Sequence, residues 1–266
     1  MVIVAISFYS SGKALCAEPA QQQIDWEYQI AYQRGIEAMN WALPAVSMLS
    51  MRDANFSLGG GYNTIYWLSQ VPTALQEAIT ANNQTPYASI FINTKEGPVI
   101  LDVPPATART AIFGSAIDVW QVPIADIGPA GSDQGKGGRY LFLPPGYKGE
   151  VPQDMFPVQL QLYEVYVALR CIPFGNATFR EAAEYSKQIN AYPLDEAAKP
   201  PKGNYIDMAG RHIPTLPVYD LGYFEKIAEL LTNEPLLERD KVMGGMLASI
   251  GIRKGAPFSP EGKVKK

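Results

Sequence analysis

The sequence predicts an α+β protein in which helices from both ends of the chain flank an antiparallel β-sandwich. Between residues 87 and 171, short runs of strand-forming residues alternate with Pro- and Gly-rich turns, and connections this short favour antiparallel neighbours. On either side, residues 24–52 and 219–250 repeat apolar side chains at steps of three and four, which is typical of helices. The two patterns together predict a sandwich braced by helical segments.

The bulk composition is that of an ordinary globular protein. The chain has 266 residues, 47% hydrophobic and 18% charged, which is sufficient for a sizeable core. A net charge of −4 and a pI of 5.2 argue against binding to nucleic acid or to an anionic membrane. No apolar stretch has the length that a membrane span requires, so none is predicted.

The N-terminal segment predicts export to the periplasm or beyond. Residues 2–8 form a short apolar run, and small residues surround Cys16 at a plausible cleavage site. The alternative is a disordered N-terminus. The predicted organisation is a signal or disordered segment (1–20), a helical segment (21–80), a β-sandwich domain (81–173), a C-terminal helical segment (174–252) and a linker-like tail (253–266).

The helical segments contain several start and stop signals. Pro44 is expected to kink or divide a first helix over 24–52, and residues 67–80 favour a second short helix or a partly ordered loop. Thr178 and Glu181 have the spacing of a capping box at the start of a helix over 179–189. Two more helices are predicted over 219–231 and 241–250, after a Pro-rich connector over 191–217.

The strands are predicted from alternation and turn residues. Residues 87–93 and 98–103 are expected to form a hairpin, followed by strands over 109–120 and 139–143. Gly114 suggests a bulge within the third of these strands. Residues 158–171 predict one long alternating strand.

The first candidate site is the polar turn over residues 82–87. Asn83 and Tyr87 carry groups that could bind a ligand hydroxyl or carbonyl in a pocket at the start of a strand. The alternative is a turn whose asparagine side chains cap nearby backbone groups.

The second candidate site joins the ends of two predicted strands. Asp118, Trp120 and Gln121 end one strand, and Arg139 and Tyr140 begin another. An aromatic platform beside an acid and a guanidinium suits recognition of a sugar or a carboxylate. The alternative is a structural Asp–Arg pair at a sheet end with the tryptophan in the core.

Several kinds of site are disfavoured by residue counts. His212 is the single histidine, so a multi-histidine metal site is excluded, and a Ser-His-acid triad would need His212 with an acid such as Asp207. Cys171 near a strand end is expected to be a buried, inert thiol. The glycine-rich loop over 131–137 departs from the phosphate-loop spacing, so a hairpin loop is predicted there. The sequence therefore predicts no metal and no cofactor.

Five segments in the same order resemble the bacterial family called domain of unknown function 1254. They are the Gly-containing first helix with Pro44, residues 82–89, 97–105 and 138–149, and residues 250–258. The resemblance extends over roughly residues 31–260. It implies an immunoglobulin-like sandwich beside a small helical domain. It also implies that a jelly-roll-like domain (domain of unknown function 1214) often follows, so this chain is expected to be a stand-alone, split or truncated member.

These observations predict an exported module that binds a small molecule or packs against a partner domain. The expected partners are a protein with the jelly-roll-like domain, a second copy of the chain, or a small-molecule ligand. The alternative is a hydrolase that uses carboxylates and tyrosines, with its site shared with a missing C-terminal domain. The sequence leaves open whether the protein is an enzyme.

Overall fold

A computed structural model describes residues 24–78 and 82–260 of the chain. The predicted export segment over 1–20 and the last six residues of the predicted tail lie outside these ranges. The described helices are α1 (Trp26–Phe56), α2 (Phe179–Tyr185), α3 (Leu221–Asn233) and α4 (Lys241–Ser249). The described strands are β1 (Thr64–Trp67), β2 (Tyr87–Asn93), β3 (Val99–Val103), β4 (Thr110–Asp118), β5 (Pro123–Ile127), β6 (Gly138–Leu143), β7 (Met155–Gln159), β8 (Glu164–Pro173), β9 (Asn190–Pro193) and β10 (Asn204–Asp207).

The ten described strands form two sheets that share one core. The six-stranded sheet has the order β10-β1-β2-β8-β4-β5, and the four-stranded sheet has the order β7-β6-β3-β9. One hydrophobic cluster contains Ile90 and Val167 of the larger sheet together with Leu101 and Phe142 of the smaller sheet. The sheets therefore pack face to face, and the predicted α+β class is confirmed.

Two strand pairs are parallel, in a sandwich that the sequence predicted to be mostly antiparallel. β10 runs parallel to β1, and β7 runs parallel to β6, in each case at a sheet edge. β1 and β10 are separated by more than 130 residues of chain, so connection length carried no information about their relative direction.

Helix α1 packs on the outer face of the larger sheet, and α3 and α4 pack against α1, whereas α2 packs into the core between the two sheets. Side chains from α1, including Met48 and Leu49, pack with Tyr66 and Phe91 of the sheet. Nearer the start of α1, Ala42 belongs to a second cluster that includes residues of α3 and α4. The predicted helix over 24–52 is thus confirmed, and it continues through Pro44 as one element because packing on both sides stabilises it.

The capping prediction is also confirmed. Thr178 Oγ1 accepts a hydrogen bond from the Glu181 backbone N–H, and the Glu181 carboxylate accepts one from the Thr178 N–H. The α-helix ends at Tyr185, and a short 3₁₀ turn over Ser186–Gln188 continues it. The helices predicted over 219–231 and 241–250 lie within two residues of α3 and α4.

Of the two alternatives predicted for residues 67–80, the short helix is wrong and a loop follows β1 over residues 68–78. The Pro-rich connector predicted over 191–217 contains short strands. Residues 64–67 form β1, which is buried along its whole length between β2 and β10, and 71–78 contain a turn and an isolated bridge. The connector supplies β9 and β10. These short strands are stabilised by partners that are distant in sequence, so a local pattern does not reveal them.

The chain passes from one sheet to the other at two points, where the sequence predicted a hairpin and a single long strand. β2 and β3 do not form the predicted hairpin, because β2 pairs with β1 and β8 whereas β3 pairs with β6 and β9. The predicted strand over 158–171 is divided into β7 and β8, which belong to different sheets. Strands of both sheets direct alternate apolar residues into the shared core. Alternation along the sequence therefore does not show to which sheet a strand belongs.

Gly114 has a different role from the predicted bulge. The register shift lies between Ala116 and Ile117, opposite β5. A Cβ atom on Gly114 would lie 2.0 Å from the carbonyl oxygen of Ala168 on β8. Glycine is therefore required by the close approach of β4 and β8.

Candidate functional site

A cleft opens where the end of α1 meets α3 and the turns that follow β2 and β9. Its volume is about 980 Å³. Its lining combines many charged and amide side chains with several apolar ones. The lining residues are Arg52, Asp53, Phe56, Tyr62, Asn63, Asn93, Lys95, Glu96, Gly97, Pro98, Val99, Glu164, Pro193, Leu194, Asp195, Glu196, Glu229 and Asn233.

Arg52 lies at the floor of the cleft and joins three secondary-structure elements. Its Nη1 donates to the two oxygens of Glu164 at 3.1 and 3.3 Å, and its Nη2 donates to Glu229 Oε1 at 2.5 Å. Its Nε also donates to Asp53 Oδ1 at 2.8 Å. Burial disfavours the charged guanidinium, but attraction to Glu164 and Glu229 outweighs it and raises the pKa of Arg52. Arg52 therefore remains a cation in a buried position.

Helix α3 contributes two further residues to this ion-pair network. Lys226 Nζ donates to Asp53 Oδ2, and Glu229 follows one turn of helix later to reach Arg52. Burial tends to raise the pKa of Asp53, but hydrogen bonds from Lys226 and Arg52 lower it overall. The ion pairs thus tie α1 to α3 at the edge of the cleft.

Two glutamates, one in this network and one next to it, have raised pKa values. Glu164 begins β8 and is 2% exposed, and burial raises its pKa even though Arg52 opposes this shift. Glu234, at the end of α3, accepts hydrogen bonds from the backbone N–H groups of Tyr163 and Glu164 at 2.7 and 2.9 Å. Burial, reinforced by the charges of Glu164 and Asp118, raises the pKa of Glu234 to about 7 against those hydrogen bonds. Glu234 therefore titrates near neutral pH.

The segment before β1 contributes a phenol and an amide to the cleft. Tyr62 Oη lies 3.3 Å from Glu164 Oε2, and burial together with the charge of Glu164 raises the pKa of Tyr62 to about 12. Asn63 adopts a left-handed backbone conformation, with φ of 61°, and its N–H donates to the Phe91 carbonyl at 2.8 Å. Its buried Oδ1 accepts no hydrogen bond from any part of the chain that the structure describes.

The predicted site at residues 82–87 is mainly a self-contained turn. Asn83 is exposed, and its Oδ1 accepts a hydrogen bond from the Gln84 side chain at 2.8 Å. Asn82 Oδ1 accepts from two backbone N–H groups of the same turn, which is the local capping considered as the alternative. Tyr87 receives a hydrogen bond from Arg170, whose guanidinium also lies 5.1 Å from the centroid of the Tyr87 ring.

Asp118, Trp120 and Gln121 lie together at the end of β4, next to α1. Asp118 Oδ1 accepts from the N–H groups of Trp120 and Val122 at 2.8 and 3.0 Å, and burial raises its pKa against these bonds. Trp120 packs on Trp41 with ring centroids 4.6 Å apart. Gln121 Nε2 donates to the Pro44 carbonyl at 2.8 Å. These contacts attach the end of β4 to α1.

Arg139 and Tyr140 lie in the other sheet, on β6. Arg139 forms an ion pair with Asp154. Tyr140 is fully buried, and its hydroxyl donates to Asp133 Oδ1 at 2.6 Å and lies 3.1 Å from the Asp126 carbonyl oxygen. Asp118 and Arg139 therefore have separate partners in separate sheets, and the seven candidate residues form three distinct groups outside the cleft.

Sequence reasoning missed the residues that line the cleft. Arg52 falls one helical turn after Met48 and Leu49 on the buried face of α1, so a cation on an apolar face was the available signal. Glu229 and Glu164 gave no comparable signal, because their meeting with Arg52 depends on the packing of α1 and α3 against β8.

Other candidate chemistries have simple structural explanations. The His212 side chain is 61% exposed beside Glu77, and Asp207 Oδ1 instead accepts from the Ser69 and Ala209 N–H groups. Cys171 is buried, as predicted, and burial raises its pKa to about 12.

Across residues 24–78 and 82–260, His, Cys, Asp and Glu side chains form no group of three or more suited to a metal ion. Over the same ranges, no helix has both the length and the apolarity to cross a bilayer.

A family comparison covers nine of the ten described strands. Residues 62–193 match the family model described as "Protein of unknown function (DUF1254)". The chain belongs to the DUF1254 family. The matched region is shorter than the resemblance over residues 31–260, and it contains β1 to β9 with Tyr62 and Glu164 of the cleft. Arg52 and Glu229 lie outside it, so the cleft of this DUF1254 protein joins the matched sheets to the flanking helices.

A solved structure resembles this DUF1254 protein over most of its length. The VPA0106 protein from Vibrio parahaemolyticus aligns with a TM-score of 0.61 at 19% sequence identity, covering 90% of this chain and 55% of the Vibrio chain. At this identity the similarity concerns the fold alone. This chain spans about half the length of the Vibrio protein. A comparison with curated proteins finds no match.

Proposed function

We propose that this chain is a binding module whose ligand site is the cleft above the Arg52–Glu164 ion pair. The observation that supports this is a cavity of about 980 Å³ with a buried, hydrogen-bonded polar floor and partly apolar walls. Concave sites of this size with a few oriented polar groups are the usual form of small-molecule sites. Because ion pairs and backbone hydrogen bonds hold the floor, the site is formed before a ligand binds.

The test is a fragment screen by ligand-observed NMR, using a library that contains cations, anions and neutral molecules. Two variants narrow the cleft from opposite walls, Pro193→Trp and Asn233→Trp. Val242→Trp is the control, because Val242 is 73% exposed on α4 and away from the cleft. We expect a set of fragments that bind the wild type and the control but neither cleft variant. Fragment binding that survives both cleft substitutions would contradict the proposal.

A hydrolase is the second candidate, and one feature of the cleft supports it. Glu164 has a pKa raised by burial, and Tyr62 Oη lies 3.3 Å from it. A carboxyl group whose pKa is raised in a cleft is suited to general acid catalysis, and Glu229 is a nearby carboxylate. Hydrolysis of chromogenic ester or glycoside substrates that is abolished by both Tyr62→Phe and Glu229→Gln would favour this candidate over simple binding.

The partner, export and fold-family predictions belong to the same proposal. The greater length of the similar Vibrio chain supports a jelly-roll-like companion domain that packs on this module, and a second copy of the chain is the alternative partner. The apolar run over residues 2–8 supports export to the periplasm or beyond. Mass spectrometry of the mature N-terminus tests export.

The shared core of the two sheets supports an immunoglobulin-like relation, which an experimental structure would test through its strand connections.

A further inference from the structure

Arg52 is already neutralised by the protein itself. All three of its guanidinium nitrogens donate to acceptors in the chain, with the carboxylates of Asp53, Glu164 and Glu229 among them. A ligand anion would have to displace one of these carboxylates from a buried cation, and displacing Glu164 would leave a buried negative charge without a partner. The arginine at the floor therefore does not make the cleft an anion site.

The charges that line the cleft favour a cationic ligand. Six carboxyl groups line it against two cationic side chains, Arg52 and Lys95. Adding Lys226, which binds Asp53 from the adjoining wall, leaves the carboxyl groups in excess. Glu96, Asp195 and Glu196 lie at the exposed rim, where the field of a concave surface raises the local concentration of cations.

Two further features point to an organic cation with hydrogen-bond donors. Asn63 lines the cleft, and its Oδ1 is buried and has no donor within the described residues, so it is an acceptor available to an N–H group inserted at that wall. The walls also include Phe56, Val99 and Leu194, which can bury an apolar body. A bare metal ion would leave most of a 980 Å³ cavity and these apolar walls unused.

We propose that the cleft selects small organic cations, with an ammonium or guanidinium group held by its carboxylates and Asn63 and an apolar body against Phe56 and Leu194. This inference rests on the proposed binding function and names the class of ligand. The carboxylates in excess of Arg52 supply the charge selectivity. The apolar walls distinguish such a ligand from an inorganic cation.

The test uses three probes of matched shape: 4-phenylbutylammonium, 4-phenylbutanol and 4-phenylbutyrate. Their affinities are measured by chemical-shift perturbation on the full chain. We expect the ammonium to bind about 10-fold or more tightly than the alcohol, with the carboxylate weakest. Its affinity should fall as ionic strength rises from about 0.01 M to about 1 M, because the Debye length shrinks from about 30 Å to about 3 Å.

Rim variants test the same inference without disturbing the buried network. Asp195→Lys combined with Glu196→Lys should weaken ammonium binding about 10-fold, and Lys95→Glu should strengthen it. Glu150→Lys is a single charge-reversal control on an exposed loop away from the cleft, and it should change the affinity by less than about 2-fold.

The outcomes separate this inference from the binding proposal. If fragments bind in the cleft but the carboxylate or the alcohol binds as tightly as the ammonium, the charge inference is wrong and the binding site stands. The same holds if none of the three probes binds while the fragment screen is positive. If fragment binding persists in both cleft-narrowing variants, the binding proposal itself fails.

Discussion

Arg52 of α1 donates two hydrogen bonds from Nη1 to the carboxylate of Glu164 at the start of β8, at 3.1 and 3.3 Å. Arg52 is 7% exposed and Glu164 is 2% exposed, so the ion pair is almost fully buried. This pair attaches the helical layer to the larger sheet. It also forms the floor of the proposed ligand site, so stability and binding depend on the same contact.

Replacing Arg52 with methionine should destabilise the protein by about 3–5 kcal/mol, because it removes the cation shared by three carboxylates, Glu164 among them. Equilibrium urea unfolding measures the change. Lys241→Met is the control, since its ion pair with Glu238 is exposed and should contribute less than about 1 kcal/mol. A loss for Arg52→Met no larger than that of the control would contradict a buried network.

Stability should fall between about pH 4.5 and pH 7 because of Glu234. Burial raises its pKa from 4.5 to about 7, so the folded state holds this proton more tightly than the unfolded chain does. Its contribution is complete below about pH 4.5 and is lost as the pH rises through 7, with an upper limit of about 3 kcal/mol.

The measurement is the free energy of unfolding of the wild type and of Glu234→Gln across this pH range. The variant should show a smaller decrease with pH, whatever its absolute stability. Glu238→Gln is the control, because that side chain is 86% exposed, and its profile should follow the wild type. Equal slopes for Glu234→Gln and the wild type would show that Glu234 has an ordinary pKa.

Tyr140→Phe should reduce stability by about 1–3 kcal/mol, because it leaves the buried Asp133 without its 2.6 Å hydrogen bond. Thermal unfolding measures the effect. Tyr219→Phe is the matched control, since Tyr219 is 65% exposed and should change stability by less than about 0.5 kcal/mol. A Tyr140→Phe variant as stable as the wild type would contradict a structural role for this hydrogen bond.

Thr178→Ala should destabilise the protein by about 1 kcal/mol, because it removes the side-chain acceptor of the capping box at the start of α2. Urea unfolding measures the change, and Thr178→Ser should retain most of the stability because it keeps the hydroxyl. An alanine variant as stable as the wild type would mean that water replaces the cap without cost.

Local sequence signals predicted the elements whose stability is local. β2 was placed at its observed bounds from alternation, and the capping box placed the start of α2. The short strands β1, β9 and β10 were missed because each has four residues and depends on partners distant in the chain. The sheet to which each strand belongs was equally hidden, since strands of both layers place apolar residues on one shared core.

The candidate site was predicted less well than the fold. Polar and aromatic residues near strand ends, such as Asp118 and Tyr140, attracted the sequence argument, but their polar groups bond to neighbouring turns. The cleft residues come from α1, the segment before β1, β8 and α3, with up to 177 residues between Arg52 and Glu229. No spacing rule relates residues that far apart.

The amino-acid sequence by itself determined the α+β class, the helical and strand periodicities, the cap of α2 and the kinship with the DUF1254 family. These features depend on neighbours within a few residues or on short motifs in order. Only the tertiary structure decided which strands share a sheet and which charges meet at Arg52. Burial and ion pairing act between segments that the chain brings together only when it folds, so their partners and their pKa values have no local signature.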